Sequence, residues 1–579
     1  YAEALGHLDA SLIMERVVHG GVTAVHPEIA TTILYIGDVY FDQGLYAEAL
    51  DYFEASLSMQ RTVYVGEDVT HSETALTLQC IGNVYQQQGL YTKALEYLRS
   101  SLRMGSVVHG GDDATHSSIA VTLHSIGGVY KAQGLYATAL EQYEASLVME
   151  RVVHGGDDAT HSSIAVTLHS IGSVYYDQGL HAKALEHYKA SLAMKRVVHG
   201  GNDATHSSIA VTLHSIGSVY KAQGLHAKAL EQYEASLAMY RVVHGGNDAT
   251  HSSIAVTLHS IGNEYYDQGL YATALEQYEA SLVMERVVHG GDDATHSSIA
   301  VTLHSIGDVY EAQRLHAKAV KQYEASLVMK RVVHGGDDAT HSSIAVTLHS
   351  IGSVYYDQGL HAKALEHYEA SLAMERVVHG GDDATHSSIA VTLHSIGSVY
   401  YDQGLHAKAL EHYKASLAMK RVVHGGNDAT HSSIAVTLQS IGNVYKAQGL
   451  YAEALEHYEA SLAMKRVVYG GDDATHSSIA VTLHSIGSVY YDQGLHAKAL
   501  EHYKASLAMK RVVHGGNDAT HSSIAVTLQS IGNVYKAQGL YAEALEHYEA
   551  SLAMKRVVYG GDDATHSSIA VTLHSIGSV

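Results

Sequence analysis

The fourteen residues from Asp157 to Ser170, DDATHSSIAVTLHS, gather two aspartates, two histidines and several hydroxyls in one short stretch. Those residue types build a Ser-His-Asp nucleophile or an imidazole-carboxylate metal centre. The identical stretch begins again at Asp112, Asp292, Asp337, Asp382, Asp472 and Asp562. An active site is needed once, so the recurrence points to a structural unit. A triad of Asp158, His161 and Ser162 would be confined to one loop and one helical turn, without a nucleophile elbow around it. The preceding HGG reads as a helix terminator and not an oxyanion loop. We assign no catalytic residue and expect a non-enzymatic protein.

Metal coordination meets a spacing problem. Ligands on one helix face are useful four residues apart. His181 and His187 are six apart, roughly 120° around a helix axis, and His161 and His169 are eight apart. Equivalent histidines in adjacent units should stand two helix layers of roughly 8–10 Å apart. No metal ligand set and no cofactor is assigned from these spacings; weak adsorption of nickel or zinc follows from histidine density alone. No GK[ST] follows the glycine pair of HGGDD, so a phosphate loop is not expected.

The elements that carry these residues follow from the period. The HGG at His109 returns at His154, His199, His244, His289, His334, His379, His424 and His514, with Tyr469 and Tyr559 at the remaining stations and Tyr64 and His19 upstream. The spacing is 45 residues throughout, and residues 424–489 are identical to residues 514–579. A fixed period of this size makes a solenoid or an array.

Within one unit, Ile119, Leu123, Ile126 and Tyr130 fall three or four apart and define one face of a helix over Ser117–Gln133. Thr115 or Ser117 is placed to cap it. Gly134 breaks it, and a second helix runs from Tyr136 to about Val153 with Ala139, Tyr143, Ser146 and Leu147 on one face. Gly155 and Gly156 end that helix. The tyrosine stripe is expected in the core, and the Lys-Arg pairs of MKRVV, as at Lys195-Arg196, are expected to be solvated or paired with glutamates.

Composition agrees with an all-α chain: among 579 residues there is one proline (Pro27), and 46% are hydrophobic. The formal charge of −24 argues against direct binding to nucleic acid or to an acidic membrane. Protonating all 45 histidines would take that charge to +21. Cys80 is the only cysteine, which fits a reducing, cytoplasmic setting. No apolar run reaches the ~20 residues of a membrane span. The chain starts and stops inside a repeat, so it reads as a piece of a longer protein.

At this point the spacing resembles a known family. The tetratricopeptide (TPR) pattern, W-x2-L-G-x2-Y followed by A-x3-F, is matched here by Leu123, Ile126-Gly127, Tyr130, Ala139 and Tyr143. Leu stands for Trp, Tyr for Phe, and Arg151 stands where the terminal proline would be. The longer repeat is similar to the kinesin-light-chain type, best seen in VHPEIATTILYIGDVYFDQGLYAEALDYFEASLSM from Val25 to Met59. The resemblance covers essentially the whole chain. It implies an all-α, right-handed superhelical solenoid of helix-turn-helix units, continuous over residues 1–579. Twelve complete helix pairs would run through residues 30–558, from Ala30–Val63 to Ala525–Val558, between an orphan second helix in 1–18 and an orphan first helix in 570–579.

In that family the first helix of each unit lines a concave face that holds peptide or protein segments. Carried over residue by residue, the fifth place is His124, His169, His214, His259, His304, His349, His394 and His484, with Gln439 and Gln529 as variants. The ninth place includes Ser173, Ser218, Asn263 and Asn443. The twelfth and thirteenth alternate between Lys-Ala, at Lys131, Lys221 and Lys446, and Tyr-Asp, at Tyr176-Asp177 and Tyr266-Asp267. The resemblance implies a protein-interaction scaffold whose partners are proteins or peptides, not nucleic acid, without membrane insertion. A kinesin-light-chain-like cargo adaptor and the sensor array of a larger signalling ATPase or protease are narrower forms of that reading. A histidine-rich metal- or pH-responsive protein is the alternative of another class.

Overall fold

The computed structural model describes residues 1–64, 71–111, 114–157, 159–381, 384–426, 429–471, 475–516, 519–561 and 566–579. The chain divides into two compact units, Tyr1–Asp292 and Asp293–Val579. In the first, the helix Ala2–Val18 is followed by six helix pairs, from Pro27–Asp42 with Tyr46–Val63 to Ser252–Asp267 with Tyr271–Val288. In the second, six pairs run from Ser297–Ala312 with His316–Val333 to Ser522–Ala537 with Tyr541–Tyr559, and the helix Ser567–Gly577 follows. All regular structure among the described residues is helical. Each unit is a solenoid of paired helices.

The β-branched run SIAVTL takes helical form because its apolar residues fall on one face and its threonine finds a partner within the helix. Thr122 Oγ1 donates to the Ser118 carbonyl four residues back at 2.9 Å. The first helix buries Ile119, Ala120, Ile126, Gly127 and Val129, and leaves Leu123 and Tyr130 half-buried. The second buries Ala139, Tyr143, Ser146 and Leu147 against it. Fully burying an Ile- or Leu-sized side chain contributes about 1.5–3 kcal/mol, so stacking of the pairs supplies most of the stability. Two contacts recur in every pair. Ser146 Oγ, fully buried, donates to the Ala120 carbonyl at 2.8 Å and ties second helix to first. Gly127 lets the helices approach: a Cβ there would sit 2.9 Å from the Tyr143 ring.

The cap differs from the sequence expectation. Neither Thr115 nor Ser117 caps the first helix; His116 does, in an extended conformation, its Nδ1 accepting from the Ser118 N–H at 3.2 Å. The cause is the ring's second contact. His116 stacks on His109, which closes the preceding helix, at 3.5 Å between centroids. The same stack joins His154 to His161, His199 to His206, His334 to His341 and His514 to His521 at 3.6–3.7 Å. Where tyrosine replaces the first histidine, Tyr64 stacks on His71 and Tyr469 on His476. Each such inter-repeat loop is closed by two aromatic rings.

Arg314 occupies the interhelical turn that glycine holds in the other complete repeats, and its φ is +59°. A left-handed backbone at a non-glycine residue costs on the order of 1 kcal/mol. We expect Arg314→Gly to raise the thermal midpoint by one to a few degrees in a calorimetric scan. An unchanged or lower midpoint would show that the side chain repays the strain.

Candidate functional site

The fifth-place histidines lie half-buried between neighbouring first helices. His124 Nδ1 meets Thr167 Oγ1 of the next repeat at 3.1 Å; His169 meets Thr212 at 3.4 Å, His304 meets Thr347 at 3.3 Å and His349 meets Thr392 at 3.1 Å. His394 and His484 reach Thr437 and Thr527 in the same way. Each ring also packs against the buried tyrosine of its own repeat, 4.9 Å between centroids for His124–Tyr143 and His214–Tyr233, and 5.1 Å for His259–Tyr278. Burial pushes His124, His214, His259, His349, His394 and His484 down to about 4, and His169 and His304 to about 3. Near neutral pH these rings are uncharged, and the six bonded to threonine are struts between repeats. Gln439 and Gln529 fill the same role through Oε1, which accepts from Thr482 at 2.8 Å and Thr572 at 3.0 Å.

The threonines are hubs, and they account for a departure from the sequence reading. Lys195 is not solvated: it is 5% exposed, and its Nζ donates to Thr212 Oγ1 at 2.8 Å and to the Ser208 carbonyl at 3.2 Å. Lys330, Lys420, Lys465, Lys510 and Lys555 are equally buried on the equivalent threonines. The second helix presses this place against the next repeat, so a long stem with a polar tip fits it. Burial lowers Lys195, Lys330, Lys420, Lys465 and Lys510 to about 8.

The ninth-place residues accept the phenol protons of the core tyrosines. Tyr233 donates to Ser218 at 3.1 Å, Tyr278 to Asn263 at 2.6 Å and Tyr458 to Asn443 at 2.6 Å. The alternation at the twelfth and thirteenth places has a physical meaning. Lys131 reaches the Asp177 carboxylate of the next repeat at 3.2 Å, Lys221 reaches Asp267 at 3.2 Å and Lys446 reaches Asp492 at 3.3 Å. Lys131 and Lys446 also donate to Ser173 and Ser488. Tyr176 packs its ring beside His181 and Tyr266 beside Tyr271. A Lys-Ala repeat followed by a Tyr-Asp repeat is therefore a complementary pair.

In the second unit these places enclose a polar cavity of about 550 Å³, lined by Tyr401, Asn443, Lys446, Ala447, Tyr458, His484, Ser485, Ser488 and Asp492. Asn443, Lys446 and His484 are among the residues expected from sequence to face a partner. A depression of about 640 Å³ in the first unit is framed by one second helix, at Thr92, Leu95, Glu96, Arg99, Leu102 and Arg103, and gathers none of them.

Two groupings escape sequence reading. Glu264, where other repeats carry valine, is fully buried, with Oε2 2.9 Å from His226 Nδ1 and Oε1 3.7 Å from Lys221 Nζ. Only the register against Val219 and Val309 marks it. Tyr323 Oη lies 2.6 Å from both Asp308 and Glu311. The two carboxylates share one phenol proton, and burial raises Asp308 to about 6 and Glu311 above its ordinary value. As for the triad, Asp158 lies outside the described residues. His161 Nδ1 is engaged by the Ser163 N–H at 3.3 Å and Ser163 Oγ at 2.9 Å, which commits it to the cap and not to Ser162.

The family model of the tetratricopeptide repeat matches residues 28–104, 73–147, 118–196, 163–241, 208–284, 343–421, 388–466, 433–511 and 478–556. No curated protein matches the chain. Among solved structures, BtubC from P. vanneervenii is 15% identical, covering 44% of this chain and 94% of its own, with a TM-score of 0.34. A kinesin-light-chain-like array of nearly identical TPR-like repeats from P. anserina is 19% identical, covering 38% of this chain and 100% of its own, with a TM-score of 0.32. No helix among the described residues is long and apolar enough to cross a membrane.

Proposed function

Because the chain belongs to the tetratricopeptide repeat family, whose members generally serve as non-enzymatic interaction scaffolds, we propose that it binds protein or peptide segments along the face formed by the first helices. One observation carries this reading. The cavity bounded by Tyr401, Lys446, His484, Ser485 and Asp492 offers donors and acceptors side by side and has room for peptide groups. The unbroken 45-residue period supports treating residues 1–579 as one array, in which a repetitive partner gains avidity from successive units.

The test exchanges chemistry that sibling repeats already tolerate. A double variant, Tyr401→Lys with Lys446→Tyr, alters the cavity using residues native to that station. Val467→Ala on the second-helix surface, where the valine is 63% exposed, serves as the control. Proteins captured from cytosolic extract by the unaltered chain and by the control, and lost by the exchange, are expected. Capture of the same set by all three proteins, or capture by none, would remove the reading.

A further inference from the structure

The first inter-repeat loop carries different chemistry from the later ones. At several later loops the stacked imidazoles turn two nitrogens toward one serine oxygen. His109 Nε2 and His116 Nδ1 lie 3.3 and 2.9 Å from Ser118 Oγ, and His199 and His206 lie 3.4 and 2.8 Å from Ser208 Oγ. The fold thus assembles two imidazole nitrogens and an oxygen at these loops, while Tyr64, Tyr469 and Tyr559 take the first ring's place at others. A neutral hydroxyl is a poor ligand for a transition-metal dication, and the amino end of the helix that begins there is electropositive. Those serine loops should bind such ions only weakly.

In the first loop the station of Ser118 is held by Glu28. Glu28 Oε2 lies 2.9 Å from His19 Nε2 and 3.8 Å from His26 Nδ1, and the three donor atoms fall within 4.8 Å of one another. The imidazoles stack at 3.5 Å with their planes 11° apart, so one ring must turn for both nitrogens to aim at a common ion. Ligand atoms about 2.0–2.2 Å from a tetrahedral zinc ion stand roughly 3.3–3.5 Å apart, and the two distances to Glu28 bracket that separation. Two imidazoles with one carboxylate suit zinc and neighbouring metals. His19 and His26 are half-buried and Glu28 is exposed, so water can reach a fourth position.

We propose that His19, His26 and Glu28 form a binding site for one zinc-class dication, with water completing its coordination. The metal takes the place of the hydrogen bond between His19 Nε2 and Glu28, and the ring's proton is carried on Nδ1. His26 Nδ1 exchanges a long cap, 3.3 Å from the Glu28 N–H, for the metal. Pro27, at the first helical position, has no N–H that would need an acceptor.

Internal repeats supply variants already compatible with the fold. Glu28→Ser installs the residue of Ser118, and His19→Tyr installs that of Tyr64, which stacks on His71 at 3.8 Å. Calorimetric titration of the whole chain with Zn²⁺ should show one equivalent bound at least tenfold more tightly than all the rest. Both variants should lose that equivalent while circular dichroism keeps its helical signal. Survival of the tight equivalent in either variant, or a titration containing only weak, indistinguishable sites, overturns the assignment.

Discussion

Gly352→Val should destabilise the second unit by about 3 kcal/mol or more. A Cβ at Gly352 would lie 2.8 and 2.9 Å from Cδ1 and Cε1 of Tyr368, inside any contact that real side chains make. The ring has nowhere to go, since Tyr368 is 2% exposed and its phenol donates to Ser353 at 3.1 Å. Replacing helical glycine by alanine would return about 1 kcal/mol of helix propensity, which partly offsets a clash. Valine returns less and adds two methyl groups, so the clash decides the sign. The chain is built from nearest-neighbour contacts, so damage should concentrate in the repeat of Gly352 and those flanking it. Hydrogen exchange followed by mass spectrometry should show protection lost there and retained in the first unit. Protection lost evenly over both units, or a midpoint within a degree of the unaltered chain, would contradict the nearest-neighbour account.

That glycine and its tyrosine were legible in the sequence for a physical reason. Their sixteen-residue separation is set by the approach of two helices around one turn, and the ten repeats from Gly127 to Gly532 restate it, with Phe53 and Leu98 in the tyrosine's place before them. Arg314 was equally legible, because a lone exception among glycines isolates a backbone requirement from a side-chain one. The loop closure was not. Ser and Thr rank high as caps, so Thr115 and Ser117 drew attention, whereas the preference for His116 comes from a ring seven residues away. One signal was present: where His is lost at the first station, Tyr replaces it, at Tyr64, Tyr469 and Tyr559, so aromaticity is kept while metal-binding and titrating character are not.

The buried lysines are hidden in the sequence for the opposite reason. At the station of Lys195 the chain also carries Gln60, Gly105, Glu150 and Tyr240, a variety that looks like a solvated surface. Except for Gly105, these are side chains with a polar end, and each is buried against the next repeat. Lys195 serves the threonine of the next repeat, whereas Gln60 donates to Ser56 of its own helix at 3.4 Å. The same lesson applies to the alternation of Lys131 with Asp177, where two apparently variable positions compensate each other across a repeat boundary.

The uncharged histidine struts predict how the fold responds to acid. Histidine in an unfolded chain titrates near 6.5, whereas burial holds His349 and His394 down to about 4. Below pH 6.5 the unfolded chain therefore binds more protons than the folded one, and stability falls with pH until the folded groups themselves titrate. The strut contribution is fully present above about pH 6.5 and is lost between there and about pH 4. At about 1.4 kcal/mol per pH unit of depression, each strut removes on the order of 3 kcal/mol over that window. Four such histidines in each unit are together comparable with the ~5–15 kcal/mol stability of ordinary folded domains. Burial raises the carboxyls of Asp308, Glu311 and Glu375, which favours the folded state in acid, but these are fewer. Lys420 and Lys510, held near 8, are protonated in both states across the window and add no slope. Helical circular dichroism should therefore collapse cooperatively between pH 6 and 4. Gln439 supplies the control, because it bonds Thr482 as His349 bonds Thr392 and carries no titrating group. Changing His304, His349, His394 and His484 together to glutamine should lower the acid midpoint of the second unit by about half a pH unit or more, leaving stability at pH 8 within about 2 kcal/mol. An unmoved midpoint would place the acid response in the half-buried stacked pairs and not in the struts.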